Sequence, residues 1–232
     1  MTPHLLICIA CHNRRSVAEL CLPTMRDAMH ADDSLCLYND ASKEYDAAWL
    51  GQFGPVVDIA TAIGIQRMRQ VHLQQFLLQT QFTHLYLTDH DCIHDPSWRE
   101  HGLRIQAKYE QRPLGLYNTP AHADMAGNTI SDNPKSEVIW RRFAPGVSYL
   151  LTREHVERLA PHIDTMQHFD WQIPTLIGPF ATSRVSYLDH VGVGGQRHPP
   201  HEGADGGDRA LFPTPWLVAK RAEVVAKLKE AL

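Results

Sequence analysis

Apolar and polar residues come in alternating blocks through the first hundred residues. Leu5–Ala10 is a short apolar run that breaks into the polar loop Cys11–Arg15, and Ser16 is placed to cap a helix over Val17–Met29. Ser34–Tyr38 is a second strand-like run, closed by the turn cluster Asn39-Asp40-Ala41-Ser42. Val56–Ala60 reads as a third strand. Ile65–Gln79 carries apolar residues at 65, 68, 71, 73, 76, 77 and 78, which predicts a helix with one buried stripe. His84–Thr88 is a buried-strand run that stops at Asp89-His90-Asp91. Strands alternating with helices predict an α/β fold with a mostly parallel central sheet flanked by helices. In such sheets binding groups gather in loops past the carboxyl ends of the strands, and the loops at 11–15, 39–42 and 89–95 are the most polar of this half.

The second half changes character. Leu114–Tyr117, Gly146–Leu151 and Val185–Leu188 read as strands, and Arg153–Leu159 as a short helix with Thr152 as its N-cap. Gly192–Asp208 holds six Gly and two Pro and reads as a loop ordered by a ligand. Trp216–Leu232 returns to helical spacing, with apolar residues at 217, 218, 224, 225, 228 and 232 opposite Lys220, Arg221, Lys227 and Lys229. The expected division is one catalytic domain over residues 1–212 and a C-terminal amphipathic helix over 213–232 that packs on it. A dimer seam or a peripheral membrane contact is the alternative use of that helix.

Composition narrows the field. The 232 residues are 44% hydrophobic and 21% charged, which excludes disorder and fibrous classes. A formal net charge of −4 leaves no basic footprint for nucleic acid. The five cysteines, an odd number, suit reduced thiols, and Cys8-x-x-Cys11 lies on a strand where residues three apart face opposite sides. No basic segment precedes the first apolar run, so a cytoplasmic location is the expectation.

Three places carry candidate chemistry. Asp89 and Asp91, two apart after a hydrophobic strand, project from one side of an extended segment and would repel unless a cation lies between them or one is protonated. Carboxylate oxygens on a loop suit Mg²⁺ or Mn²⁺; the bland reading is a solvated turn. Asp170, between Phe169 and Trp171, is either a general base shielded by the two rings or a cap for Gln172–Ile177. His190, at a strand end before Gly192, Gly194 and Gly195, is a candidate third metal ligand as neutral imidazole, with His198 and His201 weaker candidates. Arg197 would neutralise a diphosphate. Arg141-Arg142 reads as a solvated pair, and Trp140, Phe143 and Tyr149 as core or as faces for a sugar.

These segments, taken in order over residues 4–195, resemble the GT-A-fold glycosyltransferases, especially the family 2-like group. Leu5–Arg14 (LLICIACHNR) is similar to the family's opening strand and loop, and Leu35–Ser42 (LCLYNDAS) to its second strand and acidic turn. Gly64–Gln70 (GIQRMRQ), His84–Trp98 with its D-x-D, Pro145–Leu159 (PGVSYLLTREHVERL) and Phe169-Asp170-Trp171 resemble the motifs that follow. The resemblance implies a GT-A-like, Rossmann-like domain that moves a sugar from a nucleotide-diphosphate donor, UDP-sugars favoured, to a hydroxyl of a glycan or glycoconjugate by inversion. It implies Mn²⁺ or Mg²⁺ on Asp91 and Asp89 with His190, and Asp170 as the base. Donor contacts would come from Asn13, Arg14, Asn39, Asp40, Arg69, Asp89, Gly146, Trp171 and Arg197. One Asp in Tyr38-Asn39-Asp40 where many relatives have two, and Phe169 in place of an acidic neighbour, depart from the family pattern.

Two rival readings remain at this stage. A metal-dependent hydrolase would use Asp89, Asp91, His94 and His190, with nitrogen-rich ligation. A non-catalytic nucleotide-sugar-binding module would keep Asp40 and the aromatics and would not need Asp170.

Overall fold

The computed structural model describes residues 3–119, 127–143, 146–191 and 210–230. Strands β1 (Leu5–Cys11), β2 (Ser34–Asp40), β3 (Val56–Ile59) and β4 (His84–Asp89) lie parallel in the order β3-β2-β1-β4. The sheet continues past β4 through β9 (Ser148–Thr152), β6 (Leu114–Gly115), β10 (Phe180–Ser183), β8 (Val138–Arg141) and β7 (Thr129–Ser131). There β9 runs antiparallel to β4, and β6 and β10 are parallel to each other. A separate two-stranded ribbon pairs β5 (Cys92–His94) with β11 (Leu188–His190).

Both faces of the parallel half are buried, which is why its strands read as nearly continuous apolar runs. Leu5, Ile7, Ile9 and Cys11 enter one core with helices α1 (Arg15–Asp27) and α4 (Trp98–Lys108). Leu6 and Cys8 enter the other with α3 (Gly64–Leu78), α5 (Arg153–Leu159) and α6 (Phe169–Ile177). A short helix, α2 (Ala47–Leu50), follows β2. Cys8 and Cys11 therefore sit in different cores as free thiols, as expected for a strand.

Several local readings are corrected by packing. Ser16 does not cap α1; Arg14 holds the cap position in the left-handed region (φ 59°) with no side-chain cap, and the helix ends at Asp27. The apolar stripe of α3 is buried at Met68, Leu73 and Phe76, as expected, but Ile65 is 45% and Leu78 76% exposed, while the polar Arg69, Gln70 and His72 are also buried. Arg141 is buried rather than solvated, donating to Asn118 Oδ1 at 2.9 Å, and only Arg142 is exposed. The strand expected at 185–188 lies instead at Leu188–His190, and that at 114–117 shortens to two residues. Thr152 does cap α5, accepting from His155 N.

The C-terminal helix α7 (Pro215–Glu230) buries Leu217, Val224 and Leu228 against Val17 and Cys21 of α1, Ile93 of β5, and Val191. Its Arg221 pairs with Asp189 at 2.9 Å and donates to the His190 carbonyl at 3.1 Å. Leu217, Val224 and Leu228 of the expected apolar face thus pack within the chain, whereas Val218 is 56% exposed. No helix among the described residues is long and apolar enough to cross a membrane.

Among the described residues burial lowers His84 and, most strongly, three other histidines that it holds neutral: His94, lowered to about 3, His155, lowered to about 4, and His72, well below 6.5. The unfolded chain binds protons at these sites first, so their contribution is full above 6.5 and is lost as pH falls toward the folded values. Each removes about 1.4 kcal/mol per pH unit in that window. Urea denaturation should show stability falling steeply between pH 6.5 and about 4.5, before ordinary carboxylates titrate; a flat profile there would contradict the buried neutral state.

Candidate functional site

The strand order turns back on itself at β1. The chain moves outward to β2 and β3, then returns to place β4 on the other side of β1. Loops leaving β1 and β4 diverge at that point and open a crevice beyond the strand ends. A cleft of about 480 Å³ lies there, lined by residues 10–14 after β1, Asp40 and Glu44 after β2, Ile65 and Met68 of α3, and Asp89, His90 and Asp91 after β4. The size suits a small-molecule ligand.

Each rim loop is fixed by its own polar side chains. Asn13, also left-handed at φ 52°, receives Lys43 N (2.8 Å) and Ser42 Oγ (3.3 Å) on its Oδ1. Asp40 accepts from the amides of Ile63 (2.7 Å) and Gly64 (2.9 Å), a carboxylate against the N-terminus of α3. Asn39, expected at the donor, is instead turned inward: it donates to Asp58 at 2.8 Å, accepts from Ser42 N, and ties the β2 turn to β3.

The two aspartates separate at the β4–β5 turn. Asp89 accepts from Arg69 Nη2 at 2.7 Å; Arg69 is 2% exposed and also donates to the carbonyls of Thr88 (3.1 Å) and Gly146 (3.3 Å). Asp91 Oδ2 accepts from Arg14 and lies 3.0 Å from His190 Nε2, which β11 delivers because Val191 N donates to Asp91 O. Asp91 Oδ1 is buried without a hydrogen-bond partner. Burial pushes the Asp89 carboxyl up, with Arg69 offsetting part of the rise and Asp91 adding to it. Burial acts on Asp91 too, but His190, His90 and Arg14 overcome it and hold that carboxyl well below its ordinary range. Burial likewise opposes charge on His190, yet the Asp91 carboxylate lifts it to about 9. The Asp91 carboxylate thus favours the protonated imidazole, the opposite tendency to the neutral ring expected of a metal ligand.

These residues fit Mg²⁺ or Mn²⁺ in one respect: a buried carboxylate oxygen is left unpartnered, with an imidazole and a second carboxylate nearby. They do not form a closed protein cage, since no cluster of three or more His, Cys, Asp or Glu suited to a metal occurs among the described residues. An ion that keeps positions for phosphate oxygens is the type that needs only one or two carboxylates. The nitrogen-rich hydrolase set does not assemble. His94 is buried on β5 within reach of Tyr86 Oη and Thr88 Oγ1 at 3.4 Å, its ring 6.0 Å from that of Trp98, inside the core.

Asp170 stands beside the same rim. It is a first-turn residue of α6 rather than a cap of 172–177, the cap position being His168. Tyr149 Oη donates to Asp170 Oδ1, and a Cβ on Gly146 would lie 3.1 Å from Asp170 Oδ2. Gly146 also accepts from Arg69, so Asp170 and Asp89 are joined through one guanidinium and one peptide. The flanking rings do not sandwich Asp170: Phe169 enters the core, whereas Trp171 is 54% exposed and stacks on Phe143 at 4.1 Å. Arg197, His198 and His201 lie outside the described residues.

Sequence reasoning missed His12, His90, Glu44 and Met68 as cleft residues and Tyr149 as the partner of Asp170. His12 and His90 lie in the flagged strand-end loops, which is the signal that would have found them. Met68 and Tyr149 carry no such local signal.

No protein-family model matches the chain, and no curated protein matches it. Solved structures do. S. aureus TarS 1–349 superposes with a TM-score of 0.56 at 10% identity, covering 81% of this chain and 60% of that one. In its complex with UDP-GlcNAc the values are 0.57, 11%, 81% and 58%. The mannosyltransferase PcManGT from Pyrobaculum calidifontis, in complex with GDP-Man and Mn²⁺, superposes at 0.63 and 12% identity, covering 100% of this chain and 76% of that one. The chain thus spans three-fifths of the TarS chain it matches. With a switch-point cleft between β1 and β4 and these neighbours, the chain has the GT-A glycosyltransferase fold.

Proposed function

We propose that this chain transfers a sugar from a nucleotide-diphosphate donor, a UDP-sugar in the first instance, to a hydroxyl of a glycan or glycoconjugate. The observation that carries this reading is the succession from Asp89 to Asp170: Arg69 bonds Asp89 and the Gly146 carbonyl, and Gly146 lies against the Asp170 carboxylate, which Tyr149 holds by one oxygen. The ligands printed for the two neighbours, UDP-GlcNAc and GDP-Man with Mn²⁺, support the donor class.

On this reading Asn13, Arg14 and Asp40 line the donor side, with Ile65 and Met68 as its apolar wall. Asp91, with Asp89 and His190 beside it, would hold Mg²⁺ or Mn²⁺, which supplies Lewis-acid stabilisation of the leaving diphosphate. Tyr149 occupies one oxygen of Asp170 and leaves the other to accept the proton of the acceptor hydroxyl. As the acceptor oxygen bonds to the anomeric carbon, the bond from the anomeric carbon to the diphosphate breaks, and the acceptor proton stays on Asp170. The exposed Trp171–Phe143 pair offers a flat apolar face next to Asp170 for a pyranose ring.

Thermal shift with UDP, GDP, CDP and dTDP, with and without Mn²⁺, should show a metal-dependent rise for one nucleotide, and Asp91→Ala should abolish it. Stabilisation by Zn²⁺ alone, indifferent to nucleotide, would refute the reading. Asp170→Asn should keep the shift and lose transfer by about 10²–10⁴-fold; undiminished transfer would remove Asp170 from the mechanism, and a parent that binds nucleotide but transfers nothing would favour a binding module instead. Gly146→Ala should lower transfer by about tenfold with nucleotide binding retained, because its Cβ displaces the Asp170 carboxylate. An unchanged rate would show that this approach is not used.

A further inference from the structure

The two guanidinium groups that neutralise the Asp89–Asp91 turn differ in how firmly they are held. Arg69 is locked by three acceptors and its side chain is 2% exposed. Arg14 lies on the rim with its side chain 20% exposed, and it reaches Asp91 from a loop held in a costly backbone state, with Asn13 and Arg14 both at positive φ. Side-chain contacts from a second loop hold that state: Ser42 Oγ accepts from Asn13 N at 3.2 Å and Glu44 Oε2 from Arg15 N at 2.9 Å. The loop is thus built to present Arg14 to Asp91.

The charge balance of the turn follows. Asp89 and Asp91 are matched one for one by Arg69 and Arg14, before His190 is counted. Asp40 and Glu44 also line the cleft, but their carboxylates face the amides of Ile63 and Gly64 and of Arg15. A turn with no net negative charge does not attract a dication; it accepts one when an added anion changes the balance.

We propose that Arg14 is a resident counter-ion of Asp91 that competes with a divalent cation for that carboxylate, so that the cation enters together with a diphosphate and not before it. The second half of this statement rests on the donor reading above; the competition itself does not. Asp91 Oδ1, buried and without a hydrogen-bond partner, is the oxygen left for the ion.

The test is Mn²⁺ binding to the full chain, read from the electron paramagnetic resonance of free Mn²⁺, for the parent, Arg14→Met and Arg14→Lys, alone and with UDP or GDP. The parent should bind Mn²⁺ weakly alone and at least about tenfold more tightly with one nucleotide. Arg14→Met should bind Mn²⁺ alone at least about tenfold more tightly than the parent, and Arg14→Lys should behave as the parent. If Arg14→Met does not fold, Arg14→Gln carries the same comparison. Failure of the uncharged variant to bind Mn²⁺ more tightly overturns the proposal, whatever the nucleotides do. Tightening in that variant with no response of the parent to UDP or GDP supports the counter-ion and refutes the donor reading instead.

Discussion

A buried carboxylate and a half-buried one, two positions apart in one turn, are the constraint around which this fold is organised. Left alone, Asp89 and Asp91 would repel each other in a medium poor in water, and one would take up a proton. Cations from three elements prevent this. Arg69 comes from α3, Arg14 from the start of α1, and His190 from β11. The placement of those elements then reads as a consequence: Asp40 fixes the start of α3, the Ser42–Glu44 loop fixes the start of α1, and Arg221 of α7 fixes β11.

The same network extends sideways to the second half of the sheet. Arg69 touches Gly146, Gly146 lies against Asp170, and Tyr149 of β9 holds Asp170 by its hydroxyl. Because β9 pairs directly with β4, Tyr149 is in register with Leu87, two residues before Asp89. The parallel half thus supplies the groups that line the cleft and the mixed half supplies the carboxylate beside them. On the proposed reading, bond breaking and proton removal are aligned by the pairing of β4 with β9.

Much of this was legible in the sequence where local chemistry decides local structure. Both faces of β1 are buried, so it had to read as an unbroken apolar run, and the polar loops at 11–15 and 89–95 marked the strand ends that line the cleft. What failed depended on tertiary context. The α3 periodicity pointed rightly to Met68, Leu73 and Phe76 as core and wrongly to Ile65 and Leu78, and it carried no sign that Arg69 is buried to pair with Asp89, twenty residues away. Ser16 had the right chemistry for a cap, but Arg14 took that position to reach Asp91. Asn39 lies in a flagged turn and faces the wrong way, since Asp58 of a neighbouring strand claims it.

The most direct measurement is a crystal structure of the chain with a nucleoside diphosphate and Mn²⁺, with the ion located by its anomalous scattering. The account predicts the ion on Asp91, the phosphates in the cleft between the β1 and β4 loops, and open space in front of the Asp170 carboxylate. An ion bound away from Asp91, or a nucleotide seated elsewhere on the molecule, would contradict it.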